Sequence, residues 1–156
     1  MSNRKIVTPE IAGSVAQACL CLHVQRAARA LARHFDEVFR PFEITSGQYS
    51  LLMSLNRPAP TMGDTAEFLA MDRTTLTAAL KPLERRGLVQ VAADPEDGRV
   101  KRLSLTPAGN AVLAKSYALW QKHHGAIEAG MTSPSAVAMR GGLLRMVQKL
   151  ERGNAD

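Results

Sequence analysis

The feature that most restricts the fold is a pair of short strand-like runs separated by turn-forming residues. Residues 88–91 and 100–105 are rich in branched aliphatic side chains, and residues 93–98 between them read Ala-Asp-Pro-Glu-Asp-Gly. Such runs bounded by Asp, Pro and Gly favour a β-hairpin. We therefore predict a two-stranded hairpin with a long tip in a chain whose other segments have helical spacing.

Three short helices are predicted before this hairpin. Each follows a residue that commonly caps a helix N-terminus: Thr45, Thr61 or Asp72. In the third helix Leu76, Leu80 and Leu83 form one apolar stripe, and Gly87 stands where a helix usually ends. Short helices closely joined and followed by a hairpin predict a winged helix-turn-helix over residues 45–106.

Longer amphipathic segments lie on both sides of this unit. Apolar residues recur every three or four positions from residue 11 to the stop at Pro41. This helix of roughly 25 residues exceeds the usual length of about 11–12. Two further helices begin at Thr106-Pro107 and Ser133-Pro134. So small a core cannot cover all of these helices, so we expect residues 11–40 and 107–152 to mediate dimerisation. The predicted fold class is a mainly α single domain over residues 1–156, with a small β-hairpin wing.

Composition excludes several classes of protein. With 156 residues and 46% hydrophobic content the chain can form one core, and it is too apolar to be disordered. Aromatic residues make up only 4%, which argues against stacking surfaces for single-stranded nucleic acid. No apolar run of 18 residues occurs, and residues 1–10 do not resemble a signal peptide. We therefore expect a cytoplasmic protein without a membrane span.

The net charge of +6 suggests a polyanionic partner only weakly. Residues 58–105, which contain the predicted recognition helix and hairpin, carry seven cations and seven anions, so the excess lies outside them. The placement of individual charges is therefore more informative than their sum.

The third short helix has the face expected of a DNA-recognition helix. With the leucine stripe turned inward, Thr74, Ala78, Lys81 and Arg85 lie on the opposite face, and Arg73 and Thr77 lie at its margin. Threonine hydroxyls suit base edges, whereas Lys81 and Arg85 are better placed for phosphates. A merely solvated helix face remains the alternative.

The hairpin tip strengthens the DNA interpretation. Arg99, Lys101 and Arg102 place three cations within four residues on a projecting loop, which suits insertion into a minor groove. Asp97, two residues before Arg99, is expected to hold the arginine guanidinium by a charge-assisted bond. A surface hairpin with scattered charge is the alternative.

These segments together resemble the MarR (multiple antibiotic resistance) family of regulators. The resemblance extends over roughly residues 14–150. Its motifs are residues 37–41 (EVFRP), 48–52 (QYSLL), 71–77 (MDRTTLT), 83–89 (LERRGLV), 94–99 (DPEDGR) and 103–109 (LSLTPAG).

The resemblance implies a homodimer whose two subunits read a palindromic double-stranded operator, in most relatives as a repressor released by a small ligand or an oxidant. It also implies a set of DNA-facing positions on the recognition helix, namely Arg73, Thr74, Thr75, Thr77 and Lys81. Arg99 matches the family's wing arginine, and Asp97 matches its usual partner.

The effector is less defined. Cys21 lies near the position where peroxide-sensing relatives carry their reactive cysteine, but Gln25 and Phe35 stand where those relatives have tyrosines. Burial of Cys19 and Cys21 as small apolar residues is therefore favoured over redox sensing. The two thiols, two residues apart on one predicted helix, point about 200° apart and should not bridge each other. Free thiols fit a reducing cytosol.

No cofactor or metal is expected. The four histidines do not converge in sequence as a zinc site requires. The favoured effector is a small aromatic or acyl anion in the cleft between the dimer helices and the DNA-binding lobe.

Two other function classes would require different sequence features. A winged-helix module that binds protein rather than DNA should present apolar residues where this chain has threonines and cations. An enzyme is not expected, because the sequence contains no phosphate-binding glycine loop, nucleophile motif or clustered metal ligands.

Overall fold

The computed structural model describes residues 7–153. Within this range the chain forms seven α-helices, one 3-10 turn and a two-stranded antiparallel sheet. The elements are α1 (Pro9–Ala18), α2 (Leu20–Phe39), the 3-10 turn (Arg40–Phe42), α3 (Ser46–Ser54), α4 (Met62–Phe68), α5 (Arg73–Arg85), β1 (Val89–Ala93), β2 (Lys101–Leu105), α6 (Pro107–Ala129) and α7 (Ala136–Gly153). The predicted order of short helices, hairpin and flanking long helices is confirmed. We predicted from residues 1–10 that the chain does not begin with a signal peptide. Residues 1–6 of that stretch lie outside the described range.

The first helical segment is divided, where a single helix over residues 11–39 was expected. Cys19 has an extended backbone (φ −73°, ψ 104°), and its Sγ accepts a hydrogen bond of 3.4 Å from the Leu22 amide. Nε2 of His23 lies 2.9 Å from the carbonyl oxygen of Gln17, which the break deprives of a helical partner. The two cysteines therefore do not share one helix, because the sulfur of Cys19 caps a new one.

The core is formed mainly by α2, α3, α5 and the hairpin. The predicted leucine stripe of α5 is confirmed, with Leu76, Leu80 and Leu83 at most 1% exposed. Phe39 and Tyr49 stack with ring centroids 4.4 Å apart and join α2 to α3. α5 is thus held by its buried face, and its opposite face remains in solvent.

The hairpin is fixed to the helices at the outer edge of β2 and at its base. β1 and β2 pair from Val89↔Leu105 to Ala93↔Lys101. The amide of Leu103 donates 2.9 Å to the carbonyl of Pro60, which attaches β2 to the segment before α4. At the other side α6 passes so close that a Cβ built on Gly109 would lie 2.0 Å from the carbonyl oxygen of Leu88.

The terminal helices leave apolar side chains uncovered in the single chain. Val15 of α1 is 57% exposed, and Leu144 and Leu150 of α7 are 63% and 61% exposed. Between residues 7 and 153, no helix combines the length and apolarity needed to cross a membrane.

Candidate nucleic-acid interface

Asp72 fixes the start of α5. Its carboxylate accepts hydrogen bonds from the Thr75 hydroxyl (2.6 Å) and the Thr75 amide (2.8 Å). These two bonds lower the pKa of Asp72, so the cap is charged at neutral pH. The anion caps the helix N-terminus, where the helix dipole favours negative charge.

The exposed face of α5 contains the side chains predicted from helical spacing. Thr74, Ala78, Lys81 and Arg85 are all exposed, as are Arg73 and Thr77 at its margin. The Thr77 hydroxyl donates to the Arg73 carbonyl at 2.7 Å. Because the hydroxyls of Thr75 and Thr77 donate within the helix, each presents oxygen lone pairs outward and suits a donor on a base edge.

Asp94 organises the wing from inside. It is 7% exposed and accepts hydrogen bonds from the amides of Asp97 (3.0 Å) and Glu96 (2.8 Å), as well as from Nε of Arg102. The two amides, followed by Arg102, hold the pKa of this carboxyl below its usual range. The sequence predicted the acidic tip only as a turn. The structure shows a loop that is folded around one buried carboxylate.

Arg102, which is predicted to contact DNA, also supports the wing. Nη1 of its guanidinium donates 2.9 Å to the carbonyl of Ala59, while Nε binds Asp94. These two bonds hold one side of the guanidinium, while 42% of the side chain remains exposed. Arg102 therefore helps to position the wing, and its contact with DNA stays a prediction.

Asp97 also acts differently from expectation. Its Oδ1 accepts 3.0 Å from the backbone amide of Arg99 rather than from the guanidinium. The carboxylate therefore shapes the turn that precedes Arg99, and the Arg99 side chain is exposed.

The wing and the start of α5 enclose a cationic cleft. Its volume is about 380 Å³, and Arg73, Arg99 and Lys101 all line it. Arg73 comes from α5, whereas Arg99 and Lys101 come from the wing. The fold thus brings together three cations that are up to 28 positions apart in sequence. An anionic backbone lying along α5 would meet all three.

Comparison with known proteins identifies the family. The sequence profile of the MarR family matches residues 44–101. The transcriptional regulator MosR of M. tuberculosis, solved in complex with DNA, is 34% identical and has a TM-score of 0.78, over 86% of this chain and 97% of that one. The chain belongs to the MarR family.

Two bacterial relatives support the same assignment. The uncharacterised HTH-type regulator YybA of Bacillus subtilis is 34% identical over 86 residues, which are 54% of this chain and 57% of YybA. The organic hydroperoxide resistance transcriptional regulator of B. subtilis is 30% identical over 98 residues, 62% of this chain and 67% of that protein. The chain thus spans little more than half of YybA. Both relatives are named as transcriptional regulators, in agreement with the prediction that the chain is not an enzyme.

The thiols of this MarR-family chain are placed differently from expectation. Cys19 is half-buried, but Cys21 is exposed, and both are free. Nε2 of Gln25 donates 3.2 Å to Sγ of Cys21, and Arg29 donates 3.2 Å to Oε1 of Gln25. The expected burial of Cys21 is wrong for the single chain, because this residue lies on the outer side of α2.

Histidines from two helices meet in space although they are distant in sequence. The rings of His34 and His123 have centroids 5.3 Å apart. Across residues 7–153, His, Cys, Asp and Glu form no group of three or more able to hold a metal ion.

A second cleft of about 400 Å³ lies between α3 and α6, and Met53, Asn110 and Tyr117 are among its lining residues. Tyr49 is nearby in the core, and its buried hydroxyl has no hydrogen-bond partner in the described part of the chain. Burial, with a smaller contribution from Tyr117, raises the pKa of Tyr49 to about 12.

Proposed function

We propose that this MarR-family chain is a homodimeric, sequence-specific DNA-binding transcriptional regulator that acts in the cytoplasm as a repressor. The observation that carries the proposal is the convergence of Arg73, Arg99 and Lys101 on one cleft beside the exposed face of α5. A helix with hydroxyls and cations on its outer face, next to a cationic hairpin, fits a major groove and the adjacent minor groove.

The residues divide by chemistry. Thr74, Thr75 and Thr77 near the start of α5 are proposed to face base edges. Lys81 and Arg85, further along the helix, are proposed to bind phosphates, together with Arg73 at the cleft. Arg99 and Lys101 are proposed to enter the minor groove, where the negative potential is strongest in narrow tracts.

The proposed partner in assembly is a second copy of the chain. The exposed apolar residues of α1 and α7 form surfaces that a monomer would leave in water. Closed two-fold symmetry is the commonest solution for such surfaces, and it places two copies of α5 on two half-sites of a palindrome.

Release by a small molecule is proposed to occur through the cleft between α3 and α6. Its size suits a small aromatic or acyl ligand, and the unpartnered hydroxyl of Tyr49 lies in the adjoining core. An oxidant acting on Cys21 is the second candidate signal. It is supported by the exposure of that thiol and by the nearby cation of Arg29, which is hydrogen-bonded to the Gln25 amide that contacts the sulfur. The half-buried Cys19 at the break between α1 and α2 is the neighbouring thiol.

A protein-binding winged helix is the competing function. It is disfavoured because the outer face of α5 carries threonines, Lys81 and Arg85 in place of an apolar patch.

The proposal is tested by selecting bound duplexes from genomic fragments and measuring affinity by fluorescence anisotropy. Arg99→Ala should weaken binding by about tenfold or more, in keeping with the loss of a groove contact worth about 1–3 kcal/mol. Lys115→Ala removes the same charge from an exposed position on α6 outside the cleft and should retain nearly full affinity. Failure of the wild-type protein to prefer any duplex over random DNA would refute the proposal.

A further inference from the structure

Arg86 joins the recognition helix to a distant corner of the fold. It is the C-terminal cap of α5, and its side chain reaches the segment that follows α2. Nη2 donates 2.9 Å to the carbonyl of Phe42, and Nη1 donates to the carbonyl of Glu43. The Glu43 carboxylate lies 3.8 Å away, a longer and more exposed contact. The guanidinium thus lies closer to the two backbone carbonyl oxygens than to the carboxylate of Glu43.

The corner itself is a junction of three helices. The 3-10 turn Arg40–Phe42 continues α2, and Glu43 ends it in the left-handed region at φ 54°. Carbonyls at such an end lack a helical partner, and a cation there also faces the negative end of the helix dipole. Oδ1 of Asp36, in the last part of α2, accepts 2.7 Å from the amide of Ser46 at the start of α3. One short segment therefore fixes α2 to α3 and, through Arg86, to α5.

Because Arg86 lies at the C-terminal end of α5, a small rotation of the helix there displaces the opposite end. At 1.5 Å per residue, the axis from Arg86 back to Arg73 is about 20 Å long. A rotation of about 3° about the Arg86 end moves Arg73 by about 1 Å, which exceeds the tolerance of about 0.5 Å for a preorganised binding site. Small changes at the corner therefore become significant at the DNA-facing end.

We propose that Arg86 is a positioning residue that couples α2 to the recognition helix and so sets the separation of the two recognition helices in the dimer. The inference rests on the proposed function, because it requires a dimer on two half-sites. Arg86 does not contact DNA in this role. It acts through the Phe42 and Glu43 carbonyls on the direction of α5.

The test uses the full-length protein and a series of duplexes in which the two selected half-sites are separated by the natural spacing, by one base pair more and by one base pair fewer. Arg86→Ala should lower affinity for the natural spacing by about tenfold, in line with the loss of two hydrogen bonds from a charged donor. It should also flatten the preference for that spacing. Arg86→Lys, which keeps the charge but not the two-pronged geometry, should lie between Arg86→Ala and the wild type.

Glu43→Gln is the matched control. It removes the 3.8 Å ion pair and keeps both carbonyl acceptors, so it should retain the wild-type affinity and spacing preference. Thermal unfolding of each variant verifies that it is folded. If Arg86→Ala does not fold, Arg86→Lys is compared with the wild type in its place.

A loss of affinity that is equal at every spacing would overturn the inference, because it would indicate a phosphate contact or a general loss of stability. An unchanged spacing preference would do the same while leaving the proposed function intact. Absence of wild-type binding at all three spacings would reject the proposed function itself.

Discussion

Asp94 shows how one buried carboxylate decides the role of its neighbours. Its acceptance of two backbone amides closes the tip of the wing, and its bond with Arg102 anchors a guanidinium whose side chain stays 42% exposed. Arg99 and Lys101 remain exposed on the same hairpin. The placement of the wing cations that we propose to face DNA therefore depends on a side chain that faces inward.

Replacing Asp94 with Asn should change how stability depends on pH. The pKa of Asp94 in the folded protein lies below the value of about 3.9 that it takes in an unfolded chain. Its contribution to the free energy of unfolding is therefore complete well above that value and is lost as the pH falls through it towards the folded pKa. Urea unfolding between pH 6 and pH 3 should show a steeper acid loss for the wild type than for Asp94→Asn. Parallel curves would contradict this role.

Tyr49→Phe should stabilise the protein. The substitution removes a buried hydroxyl without a hydrogen-bond partner among the described residues and preserves the stacking with Phe39. Relief of this desolvation cost is worth about 1 kcal/mol. Urea unfolding at pH 7 measures the change, and a loss of stability would show that the hydroxyl has a partner in the assembled protein.

At this scale the sequence identified the right residue types but not all of their partners. Helical spacing correctly placed Lys81 and Arg85 on the outer face of α5. The bond from Arg102 to the carbonyl of Ala59 joins positions that are 43 residues apart, and no local pattern encodes that contact. The same holds for Arg86 and the carbonyls of Phe42 and Glu43.

The elements are held together by close backbone packing as well as by apolar side chains. Gly109, in the first turn of α6, lies against the carbonyl of Leu88 immediately before β1. Thr106, the cap of α6, donates its hydroxyl 2.6 Å to the carbonyl of Gly87. α6 therefore begins directly on the end of the recognition helix and the base of the wing.

Gly109→Ala should destabilise the protein, whereas Gly125→Ala in the same helix should not. The added methyl group at residue 109 would meet backbone at 2.0 Å and force α6 away from β1. Overpacking of this kind costs about 1–3 kcal/mol. Nothing lies within 4 Å of the equivalent Cβ at Gly125, so that change should stabilise the helix by about 0.5–1 kcal/mol. Differential scanning calorimetry compares the two, and equal effects would argue against the close approach.

Most elements could be predicted because their ends carry standard signals, such as the capping boxes at Thr45 and Thr61. The break between α1 and α2 could not, since it contains neither Gly nor Pro. There the sulfur of Cys19 provides the cap, an unusual acceptor that capping rules do not include.

For the whole molecule, the uncovered apolar residues of α7 are the main indication of assembly. Val147 and Leu150 lie on one side of the helix and are 44% and 61% exposed. A second copy covering this side together with α1 would give the wing and recognition helix a two-fold partner. Oligomeric state is thus linked to the ability to read two half-sites.

Val147→Glu should weaken the dimer, because it places a charge within the proposed apolar interface. Ala138→Glu introduces the same charge about 180° away around α7 and should leave assembly unchanged. Sedimentation equilibrium distinguishes the two species by mass. A wild-type monomer, or equal behaviour of both variants, would exclude α7 as the interface.

The balance of seven cations and seven anions over residues 58–105 has a consequence for the search along a genome. Attraction that depends only on charge is common to every duplex, and in this lobe it comes from the few cations on the outer face of α5 and on the wing, because the lobe has no net charge. If the protein reads a specific site as proposed, we expect its discrimination between sites to depend mainly on the fit of α5 and the wing to that site.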